Sequence, residues 1–247
     1  MKTKKILGVI PARYDSSRLP GKALIDIGGK TMVQRVYERA SLSQKLDQVI
    51  VATDDQRIYE HLLAIGGQVM MTSPNHQTGT DRCAEVAAAK GLDFEVIINI
   101  QGDEPFIAPE QIDELAVLFD DPSTEIATLA KKIDSYEELI DEKEAKVVLN
   151  DHSEALYMSR SPIPYLRGVA MAHWHEQRDF YKHIGIYGFR SKILANIPKL
   201  PQAQAELAEG LEQLRWLAHY KIKVGITLHE TFAIDTAEDL KQVKKYL

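Results

Sequence analysis

Short runs of consecutive apolar residues alternate with amphipathic stretches along the first half of the chain. These runs predict five strands, at Ile6–Ile10, Gln48–Thr53, Gln68–Thr72, Val96–Ile100 and Ile126–Ala130. The apolar residues are consecutive rather than alternating, so both faces of each strand are expected to be buried. That is typical of a parallel sheet covered by helices on two sides.

Apolar residues spaced by three or four positions predict helices between these strands. The first such helix would bury Met32, Val33, Val36 and Ala40 on one face, and Pro109 is well placed to begin a later one. This alternation of strands and helices predicts a three-layer α/β/α fold around a mostly parallel sheet. We expect one domain over residues 1–247.

The middle of the chain has a different pattern. A polar turn at 150–153 separates two apolar segments and predicts an antiparallel hairpin, which a Pro-rich segment at 161–165 follows. Residues 145–190 are therefore expected to form a small lobe. The polar stretch Met171–Asp179 is expected to be mobile. Farther on, Leu207, Leu211, Leu214 and Ala218 have the spacing of one long helix.

Composition and charge exclude several classes of protein. The 247 residues are 45% hydrophobic and 27% charged, as in an ordinary globular protein, and the net charge of −6 argues against a nucleic-acid binder. No apolar run approaches the length of a membrane span, so membrane insertion is not expected. A single cysteine, Cys83, excludes an internal disulfide and suits the reducing cytoplasm.

The loop after the first predicted strand carries the strongest chemical signal. Between Pro11 and Lys22 it holds three cationic side chains, two serines and a glycine. Backbone N–H groups and cationic side chains in such a loop can bind a polyphosphate. The glycine-rich Rossmann and P-loop motifs are absent, and an ordinary solvated surface loop is the alternative.

Two aspartates are candidates for binding Mg²⁺. Asp103 follows the strand Val96–Ile100, at the edge where open α/β sheets bind ligands, and Asp235 precedes the last predicted helix. A metal that bridges phosphate oxygens is commonly held by one or two carboxylates. Alternatively, Asp103 belongs to a turn and Asp235 only complements a helix N-terminus.

Three further segments are ambiguous from the residues alone. The loop at 75–82 could contact a base and a phosphate, or Thr78 or Thr80 could simply cap the next helix. His183 lies on an alternating strand and is either a functional or a structural histidine. Glu212 and Gln213 would, without context, belong to a solvated helix face.

In this order along the chain, these segments resemble the 3-deoxy-D-manno-octulosonate (Kdo) cytidylyltransferases, and the resemblance covers essentially the whole length. The matching segments are Pro11–Lys22, Ala52–Asp54, His76–Arg82, Gln101–Pro105, Lys146–Leu149, Ala155–Arg160, His183–Tyr187, Leu211–Arg215 and Asp235–Leu240. Ala233 and Ala237 stand where the family usually has glycine and proline. The fold implied is nucleotidyltransferase-like.

The resemblance implies roles for individual residues. Nucleotide binding would involve Ala12, Arg13, Ser16, Ser17, Lys22, Thr78, Gly79 and Arg82. The sugar acid would be bound by Gln101, Arg160, His183, Tyr187, Glu212 and Gln213. Asp103 and Asp235 would hold Mg²⁺ and, with Arg13 and Lys22, form the catalytic set.

The resemblance also implies the reaction and the partners. A cytoplasmic, Mg²⁺-dependent cytidylyltransferase would join CTP to Kdo for lipopolysaccharide synthesis, releasing pyrophosphate, and would act as a homodimer. The hairpin and the Pro-rich segment, about Lys146–Tyr165, would supply much of the dimer interface. Two alternatives stay open: the same reaction on the 8-amino analogue of Kdo, and a catalytically silent nucleotide-binding regulator on the same scaffold.

Overall fold

The computed structural model describes residues 4–15, 19–230 and 232–243. Nine strands are formed by Ile6–Ala12 (β1), Gln48–Thr53 (β2), Val69–Met71 (β3), Val96–Asn99 (β4), Ile126–Lys132 (β5), Lys146–Leu149 (β6), Ala155–Ser159 (β7), Tyr181–Arg190 (β8) and Ile222–Ile226 (β9). All five strands predicted in the first half of the chain are present.

Ten α-helices connect these strands in the described residues. They are Met32–Ala40 (α1), Gln56–Ala64 (α2), Gly79–Lys90 (α3), Pro109–Val117 (α4), Tyr136–Ile140 (α5), Trp174–Gln177 (α6), Ser191–Leu194 (α7), Gln204–Glu209 (α8), Gln213–Leu217 (α9) and Ala237–Gln242 (α10). None of the described helices has the length and apolar character that a bilayer crossing requires.

The strands form one sheet in the order β3-β2-β1-β4-β8-β5-β9, with β6 paired to β8 and β7 to β6. Pairing is parallel from β3 to β4 and again between β5 and β9. Strand β8 runs antiparallel between β4 and β5. The mostly parallel sheet is thus confirmed, and β6 and β7 form the predicted hairpin.

Helices cover both faces of the sheet, which gives the three predicted layers. Successive residues of β1 alternate between the two cores, since Leu7 and Val9 pack with one and Ile6 and Ile10 with the other. Helices α1, α2 and α4 contribute to the core that contains Ile6. Helices α3, α7 and α9 contribute to the core that contains Leu7.

Two local predictions are wrong. The long late helix is broken into α8 and α9, because Gly210 adopts a left-handed conformation (φ +63°) and ends α8. The polar stretch Met171–Asp179 is anchored, since Trp174 is buried and packs between Tyr165 and Phe180. The break at Gly210 is local, whereas the anchoring of Trp174 depends on apolar contacts that only the tertiary fold provides.

Candidate active site

A cavity of about 1110 Å³ opens at the carboxyl ends of the parallel strands. It brings together most of the side chains that the sequence singled out: Ala12, Arg13, Lys22, Gly79, Arg82, Gln101, Asp103, Arg160, His183, Tyr187, Glu212, Gln213 and Asp235. Thr78 is not among its lining residues, and its hydroxyl caps α3 in a capping box with Asp81. Ser16 and Ser17 lie outside the described residues.

Glycines allow the cavity floor to be built from closely spaced backbones. A Cβ atom at Gly102 would lie 2.6 Å from the carbonyl oxygen of Pro11, and one at Gly79 would lie 3.2 Å from Cγ of Pro11. The loop after β4 and the start of α3 therefore press against the end of β1. This contact brings Asp103 and the basic first loop to the same cleft.

Lys22 joins the two aspartates that are far apart in sequence. Its Nζ donates to Asp103 Oδ2 and to Asp235 Oδ1, each at 2.8 Å. The backbone N–H of Ile234 donates to the carbonyl oxygen of Asp103 at 3.0 Å, which holds the segment before α10 against the loop after β4. The expectation that Asp103 and Asp235 face one cleft is therefore met.

The donor set around Lys22 fits Mg²⁺. Two carboxylates from distant parts of the chain converge on one point, the ammonium of Lys22. Mg²⁺ prefers oxygen ligands and is usually held by one or two carboxylates, with phosphate and water completing its shell. Within the described residues no cluster of three or more His, Cys, Asp or Glu side chains suits a metal ion. Asp103 and Asp235 could hold Mg²⁺ only together with phosphate oxygens and water.

Three arginines line the cavity, and their surroundings differ. Arg82 is 1% exposed and donates to Asp54 Oδ2 at 2.7 Å and to Thr72 Oγ1 at 2.5 Å. Arg13 and Arg160 have no carboxylate within ion-pair distance among the described residues. The charge of Arg82 is thus already paired with Asp54 inside the protein. The predicted contact of Arg82 with a nucleotide stays a prediction. The charges of Arg13 and Arg160 are available to an anion.

The opposite wall of the cavity comes from β8 and contains His183 and Tyr187. Burial lowers the pKa of His183 to about 4, so its imidazole is neutral at pH 7, and its Nε2 lies 3.0 Å from Thr128 Oγ1. The ring of Tyr187 packs edge-on against Trp216 at 4.8 Å between centroids. Gln101 reaches this wall, since its Nε2 donates to the carbonyl oxygen of Gly185 at 2.8 Å. These contacts create a polar but largely uncharged surface.

Two buried carboxyl groups complete the cavity lining. Burial raises the pKa of Glu212 to about 7, although Thr80 Oγ1 donates to its Oε2 at 3.1 Å. Burial also raises the pKa of Glu104 to about 8, with the charge of Asp103 acting in the same direction. Neither Glu104 nor Trp216 was predicted from the sequence to line the site. The position of Glu104 beside Asp103, directly after a buried strand, was the available signal.

Glu212 makes a testable contribution to the pH dependence of stability. In the unfolded chain its pKa is near the ordinary 4.5, so between pH 4.5 and about 7 the folded state holds more protons at this site. Glu212 therefore lowers the free energy of unfolding as the pH rises through that window. The variant Glu212→Gln should lack this loss and gain stability relative to wild type from pH 4.5 to 7.5. Urea unfolding of both proteins at pH 4.5 and pH 7.5 measures this difference in the free energy of unfolding. If that free energy changes equally with pH in the two proteins, the raised pKa of Glu212 is contradicted.

Comparison with known proteins places the chain in a family. The cytidylyltransferase family model matches residues 7–224. The chain is 53% identical to the 3-deoxy-manno-octulosonate cytidylyltransferase of Parabacteroides distasonis, with 98% of each protein covered. It is 51% identical to the enzyme of the same name from Bacteroides thetaiotaomicron, again with 98% of each covered.

Solved structures agree. A structure of CMP:2-keto-3-deoxy-manno-octonic acid synthetase in complex with CTP matches with a TM-score of 0.90 at 42% identity, covering 98% of both chains. At 14% identity, a putative glucose-1-phosphate thymidylyltransferase from Bacillus anthracis matches with a TM-score of 0.66 and shows the shared fold alone. The chain is therefore a nucleotidyltransferase that belongs to the cytidylyltransferase family, among the 3-deoxy-manno-octulosonate cytidylyltransferases.

Proposed function

We propose that this enzyme transfers the cytidylyl group of CTP to 3-deoxy-D-manno-octulosonate, with Mg²⁺, and releases pyrophosphate. The observation that carries the proposal is the meeting of Lys22, Asp103 and Asp235 in one cavity that also holds Arg13 and Arg160. The names of the relatives and the CTP in the related structure support the choice of substrates. Supply of an activated sugar for lipopolysaccharide synthesis in the cytoplasm is part of the same proposal.

In this reaction the oxygen of the anomeric hydroxyl of the sugar acid bonds to the α-phosphorus of CTP, and the hydroxyl proton passes to solvent. The bond from the α-phosphorus to the bridging oxygen breaks, and pyrophosphate leaves with that electron pair. Both substrates are anionic, so the protein acts chiefly by positioning them and by supplying positive charge. When bound by Asp103 and Asp235, Mg²⁺ supplies charge stabilisation at the phosphate oxygens.

The residues of the cavity divide this work between its two ends. At the nucleotide end, Arg13 and Lys22 bind the phosphates, and the closely packed backbone at Gly79 forms the floor. At the sugar end, Arg160 binds the carboxylate of the sugar acid. The neutral His183 makes one hydrogen bond with a sugar hydroxyl, as donor or as acceptor, and adds no charge.

The remaining predicted contacts belong to the same proposal. Ala12, Ser16, Ser17, Thr78 and Arg82 would complete the nucleotide end, and Gln101, Tyr187, Glu212 and Gln213 the sugar end. We also propose a homodimer formed through the hairpin and the Pro-rich segment. Exposed apolar side chains there support this proposal, since Tyr165 is 75% exposed and Leu156 is 58% exposed.

A pyrophosphate-release assay tests the proposed function. The purified protein is incubated with each of the four nucleoside triphosphates, with and without Mg²⁺, and with a panel of sugar acids that includes Kdo and its 8-amino analogue. We expect release only when CTP, Mg²⁺ and a Kdo-type acid are present together. If CTP and Kdo bind in calorimetry but no pyrophosphate appears, the protein is a silent binder and the proposed function is wrong.

Replacing Lys22 by alanine should mainly impair the use of CTP. A charge-assisted hydrogen bond contributes about 1.5–3 kcal/mol, so kcat/KM for CTP should fall at least about tenfold. Lys30→Ala is the matched control, because Lys30 pairs with Glu38 at 2.6 Å on the exposed surface. It should leave both KM values unchanged. A Lys22→Ala effect confined to the KM of the sugar acid would show that the first loop is misassigned.

A further inference from the structure

Four consecutive backbone carbonyls, those of residues 141–144, accept hydrogen bonds from two cationic side chains. Lys146 Nζ donates to the carbonyl oxygens of residues 141 and 144, at 2.5 and 2.7 Å. Arg160 Nη1 donates to those of residues 142 and 143, at 2.8 and 3.3 Å. One loop therefore couples the position of the Lys146 ammonium to that of the Arg160 guanidinium.

Lys146 is 0% exposed, although it carries a charge. Its ammonium makes a third hydrogen bond, to the carbonyl oxygen of Arg160 itself at 3.0 Å, which uses all three of its donors. No carboxylate lies within ion-pair distance of it among the described residues. Burial lowers the pKa of Lys146, and the charges of Asp141 and Glu144 oppose that shift from beyond ion-pair distance. A buried ammonium whose hydrogen-bond acceptors are all carbonyl oxygens is a costly way to stabilise a hairpin. The ammonium instead ties the 141–144 loop to the backbone at residue 160.

Arg160 is held on the other side by the end of α8. Its Nε donates to the carbonyl oxygen of Glu209 at 2.8 Å, and its backbone N–H donates to Glu209 Oε2 at 3.0 Å. Within the described chain, its Nη2 makes no hydrogen bond and its guanidinium has no ion pair. Arg160 lines the cavity, and only backbone carbonyl oxygens hold its guanidinium in place. Its positive charge is therefore left for an anion in the cavity.

We infer that Lys146 is a positioning residue for Arg160: its buried ammonium orders the 141–144 loop, which in turn holds the guanidinium with Nη2 left for the carboxylate of the sugar acid. This inference rests on the proposed function, because it assigns that carboxylate as the ligand of Arg160. Without the ammonium, the carbonyls of residues 141, 144 and 160 lose a buried donor. The loop then no longer fixes Arg160 Nη1.

The test is the variant Lys146→Met, which keeps an unbranched side chain out to the Cε position and removes the ammonium. We expect the KM for Kdo to rise by about tenfold to a hundredfold, as for loss of an orienting group behind a binding side chain. The KM for CTP should stay unchanged. In an Arg160→Lys background, Lys146→Met should raise the KM for Kdo little further, because both substitutions affect the same contact. Lys146→Gln, which keeps two donors, serves if methionine prevents folding.

Lys182→Met is the matched control. Lys182 lies opposite Lys146 in the β6–β8 pairing and is 6% exposed, but its ammonium pairs with the carboxylates of Glu138 and Glu230 at 2.6 and 2.7 Å. The variant Lys182→Met should lower the melting temperature without changing the KM for Kdo.

The outcomes separate this inference from the proposed function. A folded Lys146 variant with the wild-type KM for Kdo, or one that raises both KM values equally, overturns the inference alone. A wild-type enzyme that releases no pyrophosphate from CTP and Kdo overturns the proposed function and the inference with it.

Discussion

Asp103→Asn should lower kcat by about a hundredfold or more at saturating CTP, Kdo and Mg²⁺, the scale expected when a charged group that stabilises the transition state is lost. Asparagine has nearly the same shape, so the close contact between Gly102 and Pro11 should survive. The loss is of charge: the substitution removes one of the two carboxylates that would attract a divalent cation. Asp235→Asn should act in the same way for the same reason.

Steady-state kinetics over a magnesium titration provide the measurement. Asp179→Asn is the matched control, because it also neutralises an aspartate paired with a lysine. Its partner is Lys132, at 2.6 Å, and both side chains are about half exposed outside the cavity. It should leave kcat near the wild-type value. An Asp103→Asn enzyme with unchanged kcat at saturating Mg²⁺ would contradict the proposed metal-binding role.

The largest expected effect on stability is at the buried pair between α8 and α9. Arg215 donates from Nε and Nη2 to the carboxylate of Glu206, at 2.9 and 2.5 Å, and each side chain is 8% exposed. Glu206→Leu leaves the guanidinium buried without this partner, which should lower the free energy of unfolding by about 3–5 kcal/mol. Glu212, whose Oε1 lies 3.9 Å from Arg215 Nη2, offers only partial compensation.

Chemical denaturation measures this loss against two comparisons. Glu238→Gln breaks an exposed pair, since Lys241 and Glu238 are 72% and 70% exposed, and should cost less than about 1 kcal/mol. The double variant Glu206→Leu with Arg215→Met should recover much of the stability, because it removes both charges. If Glu206→Leu costs no more than Glu238→Gln, the pair does not stabilise the junction of α8 and α9.

The periodicity of apolar residues predicted most of the fold. Strands that are buried on both faces and amphipathic helices each produce a characteristic order of apolar residues. The strand Gln48–Thr53 was predicted with its observed bounds, and Pro109 begins a helix as expected. The insertion of β8 between β4 and β5 was not predictable in this way. Strand order depends on which edges meet in three dimensions, and the alternation of polar and apolar residues in β8 does not say which strands it pairs with.

For the site, the residue types along the chain were sufficient to nominate Lys22, Asp103 and Asp235, because phosphate and magnesium chemistry needs cations and carboxylates in loops after strands. Their distance from one another is a property of the folded chain alone. The same holds for the arginines: Arg82 and Arg160 look alike in the sequence, yet the side chain of Arg82 meets the carboxylate of Asp54 and that of Arg160 only carbonyl oxygens. Whether a charge is neutralised or left for a ligand depends on partners that lie far apart in the chain, and packing brings those partners together.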